Sequence, residues 1–306
     1  AIATARLFAN CVRARSHVTY CALPLHLASR CVVQVERSSE RLRSPPDVVL
    51  LHNPELIIAR WVHTHGSTVV PTALMDDFYE ELTDAFTTLE RLVKAGQLGS
   101  YGLSSNIAGC RWGALGGANV GAPGLERVVA CAEKAAAAAG ALHHSCRVVQ
   151  VPLNLFEPDA RDPALLAQSL GLSVMANRPL NAIPPPGVTL GDWGGVGAAS
   201  AKHVVLRDRI PADPTLALMR IRMCEVLRRH CPEQGYDCLT LQQLALLFGL
   251  SAPGVDVVLC GARHPYYVQS MMGVLARDHA ESLRCLPVDV HHAIVSELHR
   301  QFPTCT

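Results

Sequence analysis

Short apolar runs alternate with amphipathic stretches along this chain. HVTYCAL (17–23) has strand character, and LASRCVVQVERSSERL (27–42) has helical spacing that Pro45 and Pro46 stop. DVVLLHNP (47–54) is a continuous apolar run, the pattern of a strand buried on both faces. The spacing predicts an amphipathic helix over 76–95, with Phe78, Leu82, Phe86, Leu89 and Val93 three and four residues apart. Asp76 and Asp77 suit its start, Lys94 its last turn, and Gly96 its C-terminal cap. Further strands are predicted at SYGLSS (100–105), RVVQVPLN (147–154), LSVMANRPL (172–180) and GVDVVLCGA (254–262). Helices are predicted at 125–142, 163–171, 214–230 and 239–250, and the tail from 265 reads as mostly helical.

Alternating strand and helix units with apolar strands imply a parallel α/β sheet, closed as a (β/α)8 barrel or left open and doubly wound. Polar residues gather just past the strand ends: His52 and Asn53, Ser104 to Asn106, Asn154, Asn177 and Arg178, and Arg263. Function collects at that edge in either architecture. No strand is followed by G-x-G-x-x-G, and no phosphate-binding P-loop is present. The segment IPPPGVTLGDWGGVGAASAKH is rich in proline and glycine and reads as a long loop, a lid over a ligand or a partner-docking loop around Asp192 and Trp193. The expected organisation is one domain over 1–306, with a long loop at 183–213 and a helical tail at 265–306.

Composition adds limits. With 306 residues and 49% hydrophobic, the chain can bury a large core. Lys+Arg 27 against Asp+Glu 26 gives no global electrostatic reason to expect a nucleic-acid or membrane-surface partner. Only Lys94, Lys134 and Lys202 are lysines, so any mechanism that needs one has three candidates. The 12 cysteines form no C-x-x-C pair and no zinc spacing, which suits an intracellular reducing compartment. His63 with His65, His143 with His144, and His291 with His292 lack carboxylate or cysteine at ligand spacing, so no metal is expected. The segment AIATARLFANCVRARS contains arginine and no acid, a composition suited to a mitochondrial presequence remnant or to a surface helix. A mitochondrial or cytoplasmic location follows, the mitochondrial one slightly favoured.

Five blocks, in order and spacing, resemble the aldo-keto reductase family: DVVLLHNPE, LERLVKAGQLGSYGLSSN, VVQVPLNLFEP, VMANRPLNA and VDVVLCGARHPYYVQSMMGVL. The resemblance covers about residues 47–280 and implies a (β/α)8 TIM barrel of aldo-keto reductase type, incomplete or remodelled at its N-terminus. It also implies NADPH-dependent carbonyl reduction, in which hydride leaves the nicotinamide while a tyrosine donates a proton. A lysine and an aspartate tune that tyrosine, and a histidine orients the carbonyl. A phenol with an ordinary pKa of ~10 needs a cationic neighbour to exchange a proton near neutrality.

By that resemblance, His52 matches the histidine, either orienting a carbonyl or persisting as a relic. Ser104 matches the serine at the nicotinamide amide, with Ser105 or Asn106 in place of an asparagine, and Gln150 matches the amide-binding glutamine. Gly261 and Arg263 match the phosphate-binding turn. Asn177 replaces an aromatic that stacks on the nicotinamide, and Ser270 and Met271 replace a Glu-Asn pair at the adenine. The lysine is due near Tyr20, Cys21, Ala22 and Leu23, where none occurs. About 46 residues precede the histidine strand, which leaves the front short of two strand units. The expectation is therefore a catalytically degenerate member, a structural subunit among other protein subunits of an assembly. The alternatives are an active NADPH-dependent aldehyde or ketone reductase whose N-terminal catalytic segment lies outside this sequence, and a non-catalytic NADP(H) sensor.

Overall fold

A computed structural model describes residues 18–21, 28–65, 70–105, 124–155, 158, 161–180, 214–231, 239–260, 268–269, 271–272 and 286–301. The long loop at 183–213, most of the tail before 286, and the candidates Asn106, Gly261, Arg263 and Ser270 lie outside them. Six strands are described: β1 (Val18–Cys21), β2 (Val48–His52), β3 (Ser100–Ser104), β4 (Cys146–Pro152), β5 (Ser173–Asn177) and β6 (Val257–Val258). Their order in the sheet is β1-β2-β3-β4-β5-β6, the order of the chain. Eight described helices accompany them: α1 (Ala28–Leu42), α2 (Leu56–His65), α3 (Thr72–Lys94), α4 (Leu125–Ala138), α5 (Arg161–Ser169), α6 (Pro214–His230), α7 (Leu241–Leu250) and α8 (Val288–Gln301). The chain forms two compact units, one of Ile2–Val151 and Asp162–Met175, the other of Pro152–Arg161 and Ala176–Thr306.

In the first unit β1, β2, β3 and β4 pair in parallel. Parallel neighbours need a crossover between them, and the intervening helices supply it. The middle of β2 is buried on both faces, as its unbroken apolar run requires. Helix α3 turns Phe78, Leu82, Phe86 and Leu89 inward, and Phe86 meets Tyr101 of β3 at 4.8 Å. Burying each such side chain stabilises the fold by about 1.5–3 kcal/mol. The helix starts at Thr72 rather than at Asp76. Pro71, with φ −59° and ψ 139°, is the non-helical residue that the helix follows, and Asp76 instead reaches Arg127 of α4 at 3.0 Å.

At the amino-terminal end of β3 and β4, a carboxylate is buried and satisfied. Glu90 of α3 accepts from the Tyr101 hydroxyl at 2.8 Å, from the Ser145 N–H at 2.5 Å and from the Ser145 hydroxyl at 2.9 Å. Beside it Gly102 has no room for a side chain, because an added Cβ would lie 1.8 Å from the Val148 carbonyl oxygen. The β3–β4 register slips at this point, Tyr101 facing Cys146 and Gly102 facing Val148, so Arg147 is the extra residue of a bulge.

In the second unit the Leu259 N–H donates to Ala176 O at 2.8 Å and the Leu153 N–H to Asn177 O at 3.1 Å. Strand β6 covers only two of the described residues of the predicted 254–262, and its start is late because Ser251 to Gly254 turn out of α7 first; 261 and 262 lie outside the described residues. Thr240 caps α7 in a reciprocal box with Gln243. His291 of α8 is fully buried and stacks on Phe248 of α7 at 4.3 Å. Where α6 meets α8, Glu297 receives His230 at 2.9 Å, Arg300 at 3.0 Å, Gln301 at 2.8 Å and also Arg229.

Candidate functional site

The carboxyl ends of β2, β3 and β4 bring three of the predicted residues into one row. His52 lies opposite Ser104, and Ser104 lies opposite Gln150. Residues directly opposite in a parallel sheet project to the same face. Two further bonds extend the ladder beyond the row: Asn53 N–H to Ser104 O at 2.7 Å and Ser105 N–H to Gln150 O at 3.0 Å. The row is therefore held by backbone on both sides of its central strand.

The row grades from open to closed. His52 is exposed, whereas Ser104 is 3% and Gln150 4% exposed. The Gln150 Oε1 atom is buried and has no hydrogen-bond donor among the described residues. A buried acceptor without a partner costs about 1–3 kcal/mol, so such atoms are rare in cores and suit a ligand that brings its own N–H. Ser105, directly after β3, is buried too, and so is Asn154 in the second unit.

Just past two strands, in one unit and in the other, the backbone is itself unusual. Asn53 has φ of 50° and Arg178 has φ of 56°, both left-handed although neither is glycine. Each precedes a proline, Pro54 and Pro179, which ordinarily drives the preceding residue toward extended conformations. Residues held this way concentrate at functional edges. Sequence reasoning placed Asn53 and Arg178 at the strand ends without foreseeing this conformation, because the proline after each points toward extended backbone instead. Asn177, at the end of β5, is half-buried, and its Oδ1 also has no hydrogen-bond partner among the described residues.

The lysines go elsewhere. Lys94 donates from Nζ to Ala139 O at 3.2 Å and to Gly140 O at 3.5 Å, so it closes the carboxyl end of α4. Lys134 is exposed on α4, and Lys202 lies outside the described residues. On β1, Cys21 stands opposite Leu51, one step before His52, and β1 has no lysine. Among the described residues no group of three or more His, Cys, Asp or Glu side chains could hold a metal ion.

No protein-family profile and no curated protein sequence matches the chain. Solved structures do. The thermostable aldo-keto reductase Tm1743, seen with the inhibitor epalrestat, is 15% identical with a TM-score of 0.52, over 96% of this chain and 76% of that one. The aldo-keto reductase AKR11C1 from Bacillus halodurans, in its holo form, is 16% identical with a TM-score of 0.55, over 94% and 76%. An aldo/keto reductase from Klebsiella pneumoniae, in complex with NADP and acetate, is 17% identical with a TM-score of 0.51, over 98% and 75%. At such identities the likeness is one of fold. A parallel sheet in chain order, with helices between its strands and polar residues at its carboxyl edge, gives this chain the α/β fold of the aldo-keto reductases, the (β/α)8 type.

Proposed function

We propose that the chain is a catalytically degenerate aldo-keto-reductase-like protein, a non-catalytic subunit of a larger assembly that still takes NADP(H) at its carboxyl strand edge. The observation that carries this reading is the missing lysine. The family mechanism needs a cation beside its proton-donating phenol, and β1, the strand next to that of His52, has no lysine at or near Tyr20 and Cys21. Lys94 is committed to the Ala139 and Gly140 carbonyls. His52 is then a relic of a carbonyl-orienting group.

The orphaned Gln150 Oε1 favours a retained dinucleotide and thus the sensor form of the proposal. A carboxamide carries one acceptor and two N–H donors, so it complements a glutamine amide at both ends. Gln150 would accept from the nicotinamide carboxamide, and the Ser104 hydroxyl, with Ser105 or Asn106, would hold its other end. Arg263 would pair with the adenosine phosphate, and Gly261 would let the backbone approach it. When bound, NADPH supplies a hydride. Without a tuned acid this chain's own residues bind and orient the dinucleotide and move no proton. Asn177 in place of an aromatic removes the stacking face, so binding should be weaker than in an active reductase. The solved reductase seen with NADP supports this choice of ligand.

Cys131, Cys146, Cys224, Cys231 and Cys260 carry free thiols, three of them buried, which supports a reducing compartment. We place the protein there in mitochondria or cytoplasm, with the acid-free segment 1–16 favouring mitochondria. The test uses the full chain, titrated with NADPH while nicotinamide fluorescence is followed, then assayed with aldehydes and ketones. Saturable binding without NADPH oxidation is expected. A monomer that turns over aldehydes would overturn degeneracy; no binding at millimolar NADPH would overturn retention of the dinucleotide.

A further inference from the structure

Helix α6 of the second unit has two faces. Met223, Val226 and Leu227 are buried, and His230 is partly buried beside them. On the opposite stripe Leu218, Ile221, Arg222, Glu225, Arg228 and Arg229 are exposed. Their spacings of three and four put them on one side of the helix. A solvated helix face ordinarily carries polar residues throughout. Here its first half carries two large apolar side chains instead, Leu218 at 48% and Ile221 at 53% exposure.

The second half is basic. Arg222, Arg228 and Arg229 share this stripe with one acid, Glu225. Arg300 of α8 adds another guanidinium, its side chain 71% exposed. The carboxylate between them is already engaged, since Glu297 is 9% exposed and takes Arg229, His230, Arg300 and Gln301. Positive charge therefore remains in excess beside the apolar pair.

We propose that this stripe of α6, together with Arg300, is the docking surface for an acidic amphipathic helix of a partner protein. The partner would cover Leu218 and Ile221 with apolar side chains and set carboxylates against Arg228 and Arg300. From Ile221 to Arg228 is seven residues, or about 10.5 Å along the axis at 1.5 Å per residue. The matching helix thus carries its acids two turns beyond its apolar pair. Apolar contact provides affinity, and charge provides choice of partner and speed of encounter. The proposal deepens the reading of the chain as an assembly subunit and rests on that part of it alone.

The experiment uses the full chain and a fluorescein-labelled helical peptide with two leucines three residues apart and three glutamates two turns further on. A counterpart carries glutamine for each glutamate. Saturable anisotropy with the acidic peptide is expected, weakened about tenfold or more by Ile221→Asp, by Arg228→Glu or by the glutamine peptide. Circular dichroism checks that both variants keep the parent's fold; Leu218→Gln is a third variant with the same expected loss. Equal binding of the two peptides, unchanged binding by the variants, or no saturation overturns the proposal. So does sedimentation of the chain as a dimer that Arg228→Glu dissociates, since a second copy would then be the occupant. Flotation with phosphatidylserine vesicles that the same substitution abolishes overturns it in favour of a lipid surface. Carbonyl turnover with intact peptide binding would sink degeneracy and leave the docking surface standing, so the two failures are distinguishable.

Discussion

Replacing Tyr101 with phenylalanine isolates one hydrogen bond in the core of the first unit. The ring keeps its place against Phe86, and only the hydroxyl that donates to Glu90 at 2.8 Å is lost. Burial first, then the neighbouring Cys146 and Glu90, pushes the Tyr101 hydroxyl above its ordinary range, so it is a phenol and a donor at every working pH. Glu90 is 2% exposed, so water does not replace the lost donor. A hydrogen bond to a charged group contributes about 1.5–3 kcal/mol, which is the expected loss. Glu90 keeps the Ser145 N–H and hydroxyl, which limits the damage. Glu90→Leu should cost more, because it strands the Tyr101 hydroxyl and the Ser145 N–H without their acceptor. Urea unfolding followed by circular dichroism reads both values from the shift in midpoint at unchanged slope. A Tyr101→Phe protein as stable as the parent to within about 0.5 kcal/mol would refute a structural role for the network.

Three further outcomes are expected. Gly102→Ala should abolish soluble folded protein, because its Cβ would fall 1.8 Å from the Val148 oxygen; an ordinary melting curve for this variant would contradict the β3–β4 register. Cys146 is buried and its thiol is pushed up to about 12, so native protein should leave it unalkylated by iodoacetamide at pH 8, with peptide mass spectrometry showing label only after urea. The His230 hydrogen bond, then Gln301, Arg229 and Arg300, hold the Glu297 carboxyl down at about 2 against its ordinary 4.5. A lowered carboxyl stabilises the fold above pH 4.5, and that contribution fades as pH falls toward 2; Glu297→Gln should flatten this acid limb of the melting temperature, and an unchanged limb would contradict the contact.

The strands were legible because their physics is local. DVVLLHNP has an apolar run that only a strand covered on both faces tolerates, and β2 occupies Val48–His52 within it. His52 and Ser104 were legible as polar residues at strand ends, but Gln150 was reachable only through the family resemblance, and no spacing rule joins the three strands; their register does. Helix α2 went unforeseen because LIIARWVHTH is a short segment of mixed apolar and polar residues without a clear cap. The amino end of α3 was misplaced because Asp76 and Asp77 look like a helix start, although Asp76 pairs with Arg127. The role of Lys94 was also invisible, because its partners lie 45 and 46 residues away in sequence. A buried acceptor without a donor, such as Gln150 Oε1, is a property of packing that no one-dimensional pattern carries.

The central claim is a dinucleotide edge that persists without its proton relay. Its most direct test is the fate of NADPH on the full chain, measured beside Gln150→Leu with a panel of aldehydes and ketones. The account predicts saturable nicotinamide fluorescence that Gln150→Leu weakens, and no carbonyl-dependent oxidation of NADPH. Turnover at about 1 s−1 or faster, within the usual range of enzymes, would contradict it.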